Sequence, residues 1–110
     1  MANDKDKLIQ KIRQGRFVEN NGRVLRTINI LRTQYIKLSD CCYALDDVAE
    51  TDFLDCINFL SRAGYIDLRT CDGHRSAQLA DHDYEDLEAA LSEKGIRLLG
   101  GDITDDMVDV

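Results

Sequence analysis

Proline and tryptophan are both absent from the 110 residues. Without proline there is no Pro-rich linker or tail. No apolar run exceeds a few residues, so neither a membrane span nor a signal peptide is expected. There are only two histidines, and no nucleophile elbow, phosphate-binding Gly-rich loop or His-Glu-x-x-His pair occurs. Carboxylates are abundant, but an acidic surface accounts for them without an acid/base pair. The expectation is a protein that is not an enzyme and takes no small-molecule substrate and no cofactor.

Metal-ligand spacing is also missing, although there are four cysteines. Cys41 and Cys42 are adjacent, so on one helix they point about 100° apart. No Cys-x-x-Cys pair exists, and Cys71-x-x-His74 is the one short ligand-like pair. Cys41 or Cys42, together with Cys56, read as small buried hydrophobes in a reducing cytoplasm, ahead of a metal site or a structural disulfide, the readings that would make this a metal-dependent or redox protein. His74 follows Asp72-Gly73, a turn signal, and reads as an exposed turn histidine.

What is present is one globular domain's worth of chain, residues 1–110, with 44% apolar and 32% charged residues. The net charge is −7, which argues against strong, non-specific nucleic-acid binding. The charge is unevenly placed. Residues 1–39 carry nine basic and three acidic side chains, whereas residues 40–110 carry five basic and eighteen acidic ones.

Hydrophobic periodicity orders the chain as follows. A charged helix over 4–15 places Leu8, Ile9 and Ile12 on one stripe, and Gly15 weakens or ends it. Asn20-Asn21-Gly22 reads as a turn or cap. A second helix over 22–34 follows Val24, Leu25, Ile28 and Leu31 at i, i+3, i+4, i+7. Tyr35–Leu38 reads as a tiny strand. Ser39 is a candidate N-cap for a helix over 40–46, and Thr51 for a helix over 52–63. The latter has the clearest buried stripe, Phe53, Ile57 and Leu60, and Gly64 stands where a left-handed residue ends a helix. Tyr65–Arg69 alternates like a half-buried strand, and Ser76–Ala80 reads as a weaker return strand. Leu87, Ala89 and Leu91 alternate too. Ser92 looks like a new N-cap, and Gly95 would weaken one long helix. The favoured reading is a strand ending near Leu91 and a short helix over 93–99, with a single helix over 84–99 as the alternative. The acidic tail, 102–110, reads as an arm that is mobile or docked on a partner.

Two stretches carry a family resemblance. Leu38-Ser39-Asp40 through Leu45, followed by Phe53-x3-Ile57-x2-Leu60-x3-Gly64-Tyr65-Ile66, resembles the second helix, recognition helix and following strand of small prokaryotic winged-helix regulators. Leu91-Ser92-Glu93-Lys94-Gly95-Ile96 resembles the start of their helix after the wing. The ending Leu98-Leu99-Gly100-Gly101-Asp102-Ile103-Thr104-Asp105 is similar to the tail of small phage and prophage winged-helix proteins, some of them Mu-like. The resemblance covers about residues 22–105. It implies an α+β winged helix-turn-helix with an extra N-terminal helix (4–15), a core over 22–99, a short C-terminal helix and the acidic tail. It also implies a cytoplasmic DNA-binding or transcription-related regulator, dimeric and without cofactor, whose helix 52–63 enters a major groove while the turn near 72–75 touches the backbone.

The charges depart from that pattern. The outward positions of helix 52–63 are Asp52, Asp55, Asn58 and Arg62, with Phe59 at the edge. Asp40, Asp46, Asp47 and Glu50 precede them. Acidic groups against phosphate remove the counterion-release gain. The resemblance therefore leaves Asn58, Arg62, Arg69 and Arg75 as candidate DNA contacts, with DNA binding weak through the usual face. The basic residues within 5–37 have three readings: solvated faces balancing the acidic half, an intersubunit match in a homodimer, or a displaced nucleic-acid surface using Lys11, Arg13 and Arg16. Phe59 reads either as half-buried core or, with Asp52 and Asp55, as part of a protein-binding surface. The alternative function is accordingly a protein-interaction module that has kept the fold and lost DNA binding.

Overall fold

The computed structural model describes residues 3–110. Its first helix, α1 (Asp4–Asn29), is one unbroken element of 26 residues, not two helices separated by a turn at Asn20-Asn21-Gly22. The Asn3 side chain caps it by accepting from the Asp6 N–H at 2.8 Å, and Asp4 and Asp6 in the first turn complement the dipole. Asn21 and Gly22 are both buried. The Asn21 Nδ2 donates to the Met107 carbonyl at 2.9 Å. A Cβ on Gly22 would overlap the Asp109 carbonyl oxygen. The small polar residues that look like turn chemistry therefore form a notch for the tail.

The tail is correspondingly neither mobile nor a free arm. Val108 is buried in the core cluster. The Asp109 N–H donates to the Val18 carbonyl at 3.2 Å, and an Arg26 Nη donates to the Asp109 carbonyl at 2.9 Å. The buried Tyr65 hydroxyl donates to Asp105, whose other oxygen accepts from the Met107 N–H at 2.8 Å.

After α1 come β1 (Ile36–Lys37), α2 (Leu38–Ala44) and α3 (Glu50–Arg62). Ser39 and Thr51 lie inside the first turns of α2 and α3 instead of capping them, and neither helix has a side-chain N-cap. Glu50 and Asp52 in the first turn of α3 offset that lack through the dipole. Its stripe is as the spacing predicts, with Phe53, Cys56, Ile57 and Leu60 buried. The helix ends in a Schellman motif. Gly64 takes φ +86°, its N–H donates to the Ser61 carbonyl at 3.2 Å, and the Tyr65 N–H donates to the Leu60 carbonyl at 2.9 Å.

A three-stranded antiparallel sheet follows, in the order β1-β3-β2, with β2 over Ile66–Thr70 and β3 over Leu87–Leu91. Ser76–Ala80 forms no strand. One isolated bridge, Arg69 to Ser76, is followed by single 3-10 turns at Leu79–Asp81 and Tyr84–Asp86. Ala77 and Leu79 are only half-buried, too little apolar surface to hold a strand on the sheet. The strand partner of β2 is β3, which buries Leu87, Ala89 and Leu91. Ser92 then caps α4 (Glu93–Gly100) by accepting from the Gly95 N–H at 3.1 Å. Gly95 is required where it stands, because a Cβ there would overlap the Tyr65 carbonyl oxygen.

One apolar cluster joins α1, α2, α3, α4 and a face of the sheet, with Leu25, Phe53, Ile57 and Leu87 fully buried. The fold is α+β and compatible with a winged helix. No described helix is long and apolar enough to cross a membrane. Residues 4–16 of α1 are exposed, so this half of the helix projects, and the molecule measures 50 × 32 × 23 Å.

Two glycines of α1 should respond oppositely to alanine. Gly15 has open space around it, so Gly15→Ala is expected to stabilise by up to about 1 kcal/mol. Gly22→Ala forces the tail away and should cost about 1–3 kcal/mol. Chemical denaturation checks both, and protease cleavage after the tail's aspartates should accelerate in the Gly22 variant alone.

The Tyr65–Asp105 contact sets a pH window. Hydrogen bonds from Tyr65 and the Met107 N–H hold the Asp105 carboxyl below its ordinary value. Burial, reinforced by Asp105, pushes the Tyr65 hydroxyl up to about 12. A lowered carboxyl stabilises above its unfolded pKa, about 4, and the gain disappears as pH falls through the folded value. A raised phenol stabilises below about 10 and the gain disappears as pH rises toward the folded value. Tail docking should therefore be complete between those limits. Phenolate absorbance should show a late-titrating tyrosine that shifts toward the ordinary range in Asp105→Ala.

Candidate functional site

The exposed face of α3 is polar along its length. Asp52, Asp55, Asn58 and Arg62 all point outward, as the helical spacing requires. Phe59 is half-buried at the edge of this face. Its ring packs edge-to-face on Phe17 of α1, with centroids 5.6 Å apart and planes at 75°. That pairing makes Phe59 part of the α1–α3 seam and leaves only part of the ring exposed.

The projecting half of α1 runs beside this face. A notch of about 790 Å³ lies between the two helices, with Arg13, Arg16 and Phe17 on one wall and Asp52 and Asp55 on the other. The carboxylates that would oppose a polyanion thus share a notch with two guanidinium groups. A second groove, about 590 Å³, lies between the end of α3 at Asn58 and Arg62, β2 at Asp67 and Leu68, and the chain after the turn at 76–80. Arg75 is exposed in that turn. Among the described residues, Lys11, Arg13, Arg16, Arg62 and Arg75 make no ion pair.

Arg69 is placed differently from the other predicted contacts. Its Nε donates to Glu88 Oε1 at 2.6 Å, and its guanidinium carbon lies 3.5 Å from the centroid of the Tyr35 ring. His74 Nε2 is 3.6 Å from the same Glu88 oxygen. The pairing register explains this: Lys37, Glu88 and Arg69 are cross-strand neighbours on one face of the sheet. Arg69 is engaged within the sheet and is not a free phosphate anchor. Alternation alone did not reveal this, because it does not show which strand pairs with which.

The seven residues read from the sequence as DNA contacts therefore divide. Asn58 and Arg62 stand together on α3, Arg75 is exposed opposite Thr70 at the far end of β2, and Lys11, Arg13 and Arg16 lie on the projecting helix. His74 is exposed at a left-handed turn position, φ 50°, as its neighbours suggested. Of the adjacent cysteines, Cys41 is the buried one, with Cys56 in the same core. Burial pushes both thiols up to about 12, so they stay protonated and unreactive at neutral pH. No group of three or more His, Cys, Asp or Glu side chains that could hold a metal occurs among the described residues.

Comparisons with protein-family models, curated proteins and solved structures give no match to this chain.

The Phe17–Phe59 seam makes a prediction about what the α3 face tolerates. Phe59→Ala should lose about 1–3 kcal/mol of stability, a fraction of the cost of a fully buried ring. Asp52→Asn, on the exposed side, should change stability by no more than about 0.5 kcal/mol. Thermal unfolding of the two variants compares them directly.

Proposed function

We propose that this chain is a winged helix-turn-helix DNA-binding regulator, of the kind the sequence resembles in phages and prophages. In this reading α2 and α3 form the helix-turn-helix, and the connection from β2 to β3 is the wing. The contact surface is enlarged by the projecting half of α1. The observation that carries the reading is the placement, around α3, of cations that make no ion pair among the described residues: Arg62 on the helix itself and Arg13 and Arg16 across the notch from Asp52 and Asp55, with Arg75 exposed on the wing. Asn58 supplies an amide for base edges, and the arginines supply phosphate contacts. Asp52 and Asp55, held beside Arg13 and Arg16, lower affinity without removing it.

The same carboxylates favour a second reading, an interaction module whose acidic α3 face engages a basic protein. DNA titration separates the two. With three to five phosphates neutralised, the logarithm of affinity should fall against the logarithm of salt with a slope of about −3 to −5. Binding should be weak and largely gone at about 200 mM salt. Replacing both carboxylates, Asp52→Asn with Asp55→Asn, should tighten binding severalfold. Fluorescence anisotropy with random and host-derived duplexes measures both effects. Absence of binding at low salt, in the wild type and in the double variant, would favour the interaction module.

A further inference from the structure

The side of α1 turned away from the core carries a pattern the fold does not use. At about 100° per residue, positions 8, 12, 15, 19, 23, 26 and 30 fall within about 80° of one another. The helix buries Val24, Leu25 and Ile28 on its other side. On the outer stripe Leu8, Ile12 and Ile30 are 58%, 47% and 76% exposed. Single exposed apolar residues are ordinary. Here they stand at both ends of one stripe, with Glu19, Arg23 and Arg26 between them. Gly15 lies on the same stripe in open space. Glycine weakens an exposed helix relative to alanine, but it admits close approach by another chain.

We propose that this stripe is an interface with a second copy of the chain, α1 packing antiparallel on the partner's α1. A two-fold interface must be self-complementary, and this one is. The register that sets Leu8 against the partner's Ile30 also sets Ile12 beside the partner's Arg26 and Gly15 beside the partner's Arg23. The two Glu19 side chains then meet at the two-fold axis, flanked by Arg23 and Arg26 of both copies, which keep their own contacts to Asp47 and the Asp109 carbonyl. An open, shallow hollow of about 320 Å³ beside Ile30, bounded by Arg23, Arg26, Thr27 and Leu45, lies where this register puts the partner's Leu8.

Charge selects the antiparallel sense. The exposed half of α1 is basic, with Lys5 and Lys11 flanking the stripe. The flanks of the other half are acidic, with Asp46 next to Leu45 on one side and Asp109 of the docked tail on the other. Antiparallel pairing brings Lys5 toward the partner's Asp46 and Lys11 toward the partner's Asp109, whereas parallel pairing sets the lysines against each other. The core-facing side of α1, with Val24, Leu25 and Ile28, points away from the partner helix in this arrangement.

The helix is about 39 Å long, so the pairing buries on the order of 800 Å² in total, below the standard size of a stable interface. An interface this small is expected to associate weakly, so the range to test is about 10–100 μM. Sedimentation of the full chain across that range, without DNA, should show reversible monomer–dimer association. Ile12→Lys changes an exposed side chain, so it should fold as the wild type does. It sets a lysine beside the partner's Arg26 twice in a symmetric interface and should weaken association at least about a hundredfold. A double variant, Leu8→Cys with Ile30→Cys, should oxidise to a covalent dimer faster than either single variant. Within one chain those positions are about 33 Å apart, far beyond disulfide reach. A wild type that stays monomeric throughout the range would overturn the proposal. So would unchanged association in the Ile12 variant, or cross-linking of the Leu8 variant alone as fast as the double variant. None of these results depends on whether the chain binds DNA.

Discussion

The close approach of the Asp109 carbonyl to Gly22 is the contact on which the molecule's outline depends. It holds the tail along α1, and the tail in turn is tied to the core by Val108 and to the start of β2 by the Tyr65–Asp105 hydrogen bond. An Asn-Asn-Gly stretch in an isolated peptide favours a turn over a helix. Here packing on two sides, core against Val24, Leu25 and Ile28 and tail against Asn21 and Gly22, overrides that preference and keeps α1 continuous. Continuity has a functional consequence. A break at residues 20–22 would leave the basic segment free to point anywhere, whereas one helix fixes it beside α3.

That geometry resolves the charge imbalance into local pairs and leftovers. Arg23 is bound by Asp47 through two hydrogen bonds of 2.9 and 2.7 Å, Arg97 pairs with Glu93, and Arg69 with Glu88. These ion pairs consume cations that composition alone would count toward a polyanion site. Of the cations left over, Arg13 and Arg16 sit opposite the carboxylates on the exposed face of α3. On the proposed DNA-binding reading, such a surface would meet a polyanion only with help from α1, and only at low ionic strength.

Local pattern made much of this legible and long-range contact concealed the rest. The stripe Phe53, Ile57, Leu60 and the left-handed Gly64 announced α3 and its end because both signals lie within four residues of each other. The break at Ser92 could be read because the alternation of Leu87, Ala89 and Leu91 stops where a cap begins. The continuity of α1 could not, because the partner of Asn21 is 86 residues away in the chain. For the same reason Gly22 looked like a turn residue when it marks a close approach. The candidate site divides along the same line. Outward positions of α3 followed from helical period, but the capture of Arg69 by Glu88 depends on which strands pair, and that is set by the whole sheet.

The central claim is that the projecting half of α1, held straight by the tail, is part of the DNA surface. The most direct measurement is the affinity of a duplex for the variant Arg13→Glu with Arg16→Glu against the wild type, at about 50 mM salt. The account predicts at least about a tenfold loss and a shallower salt dependence, with the fold intact. Equal affinity and an equal salt slope in the two proteins would contradict it.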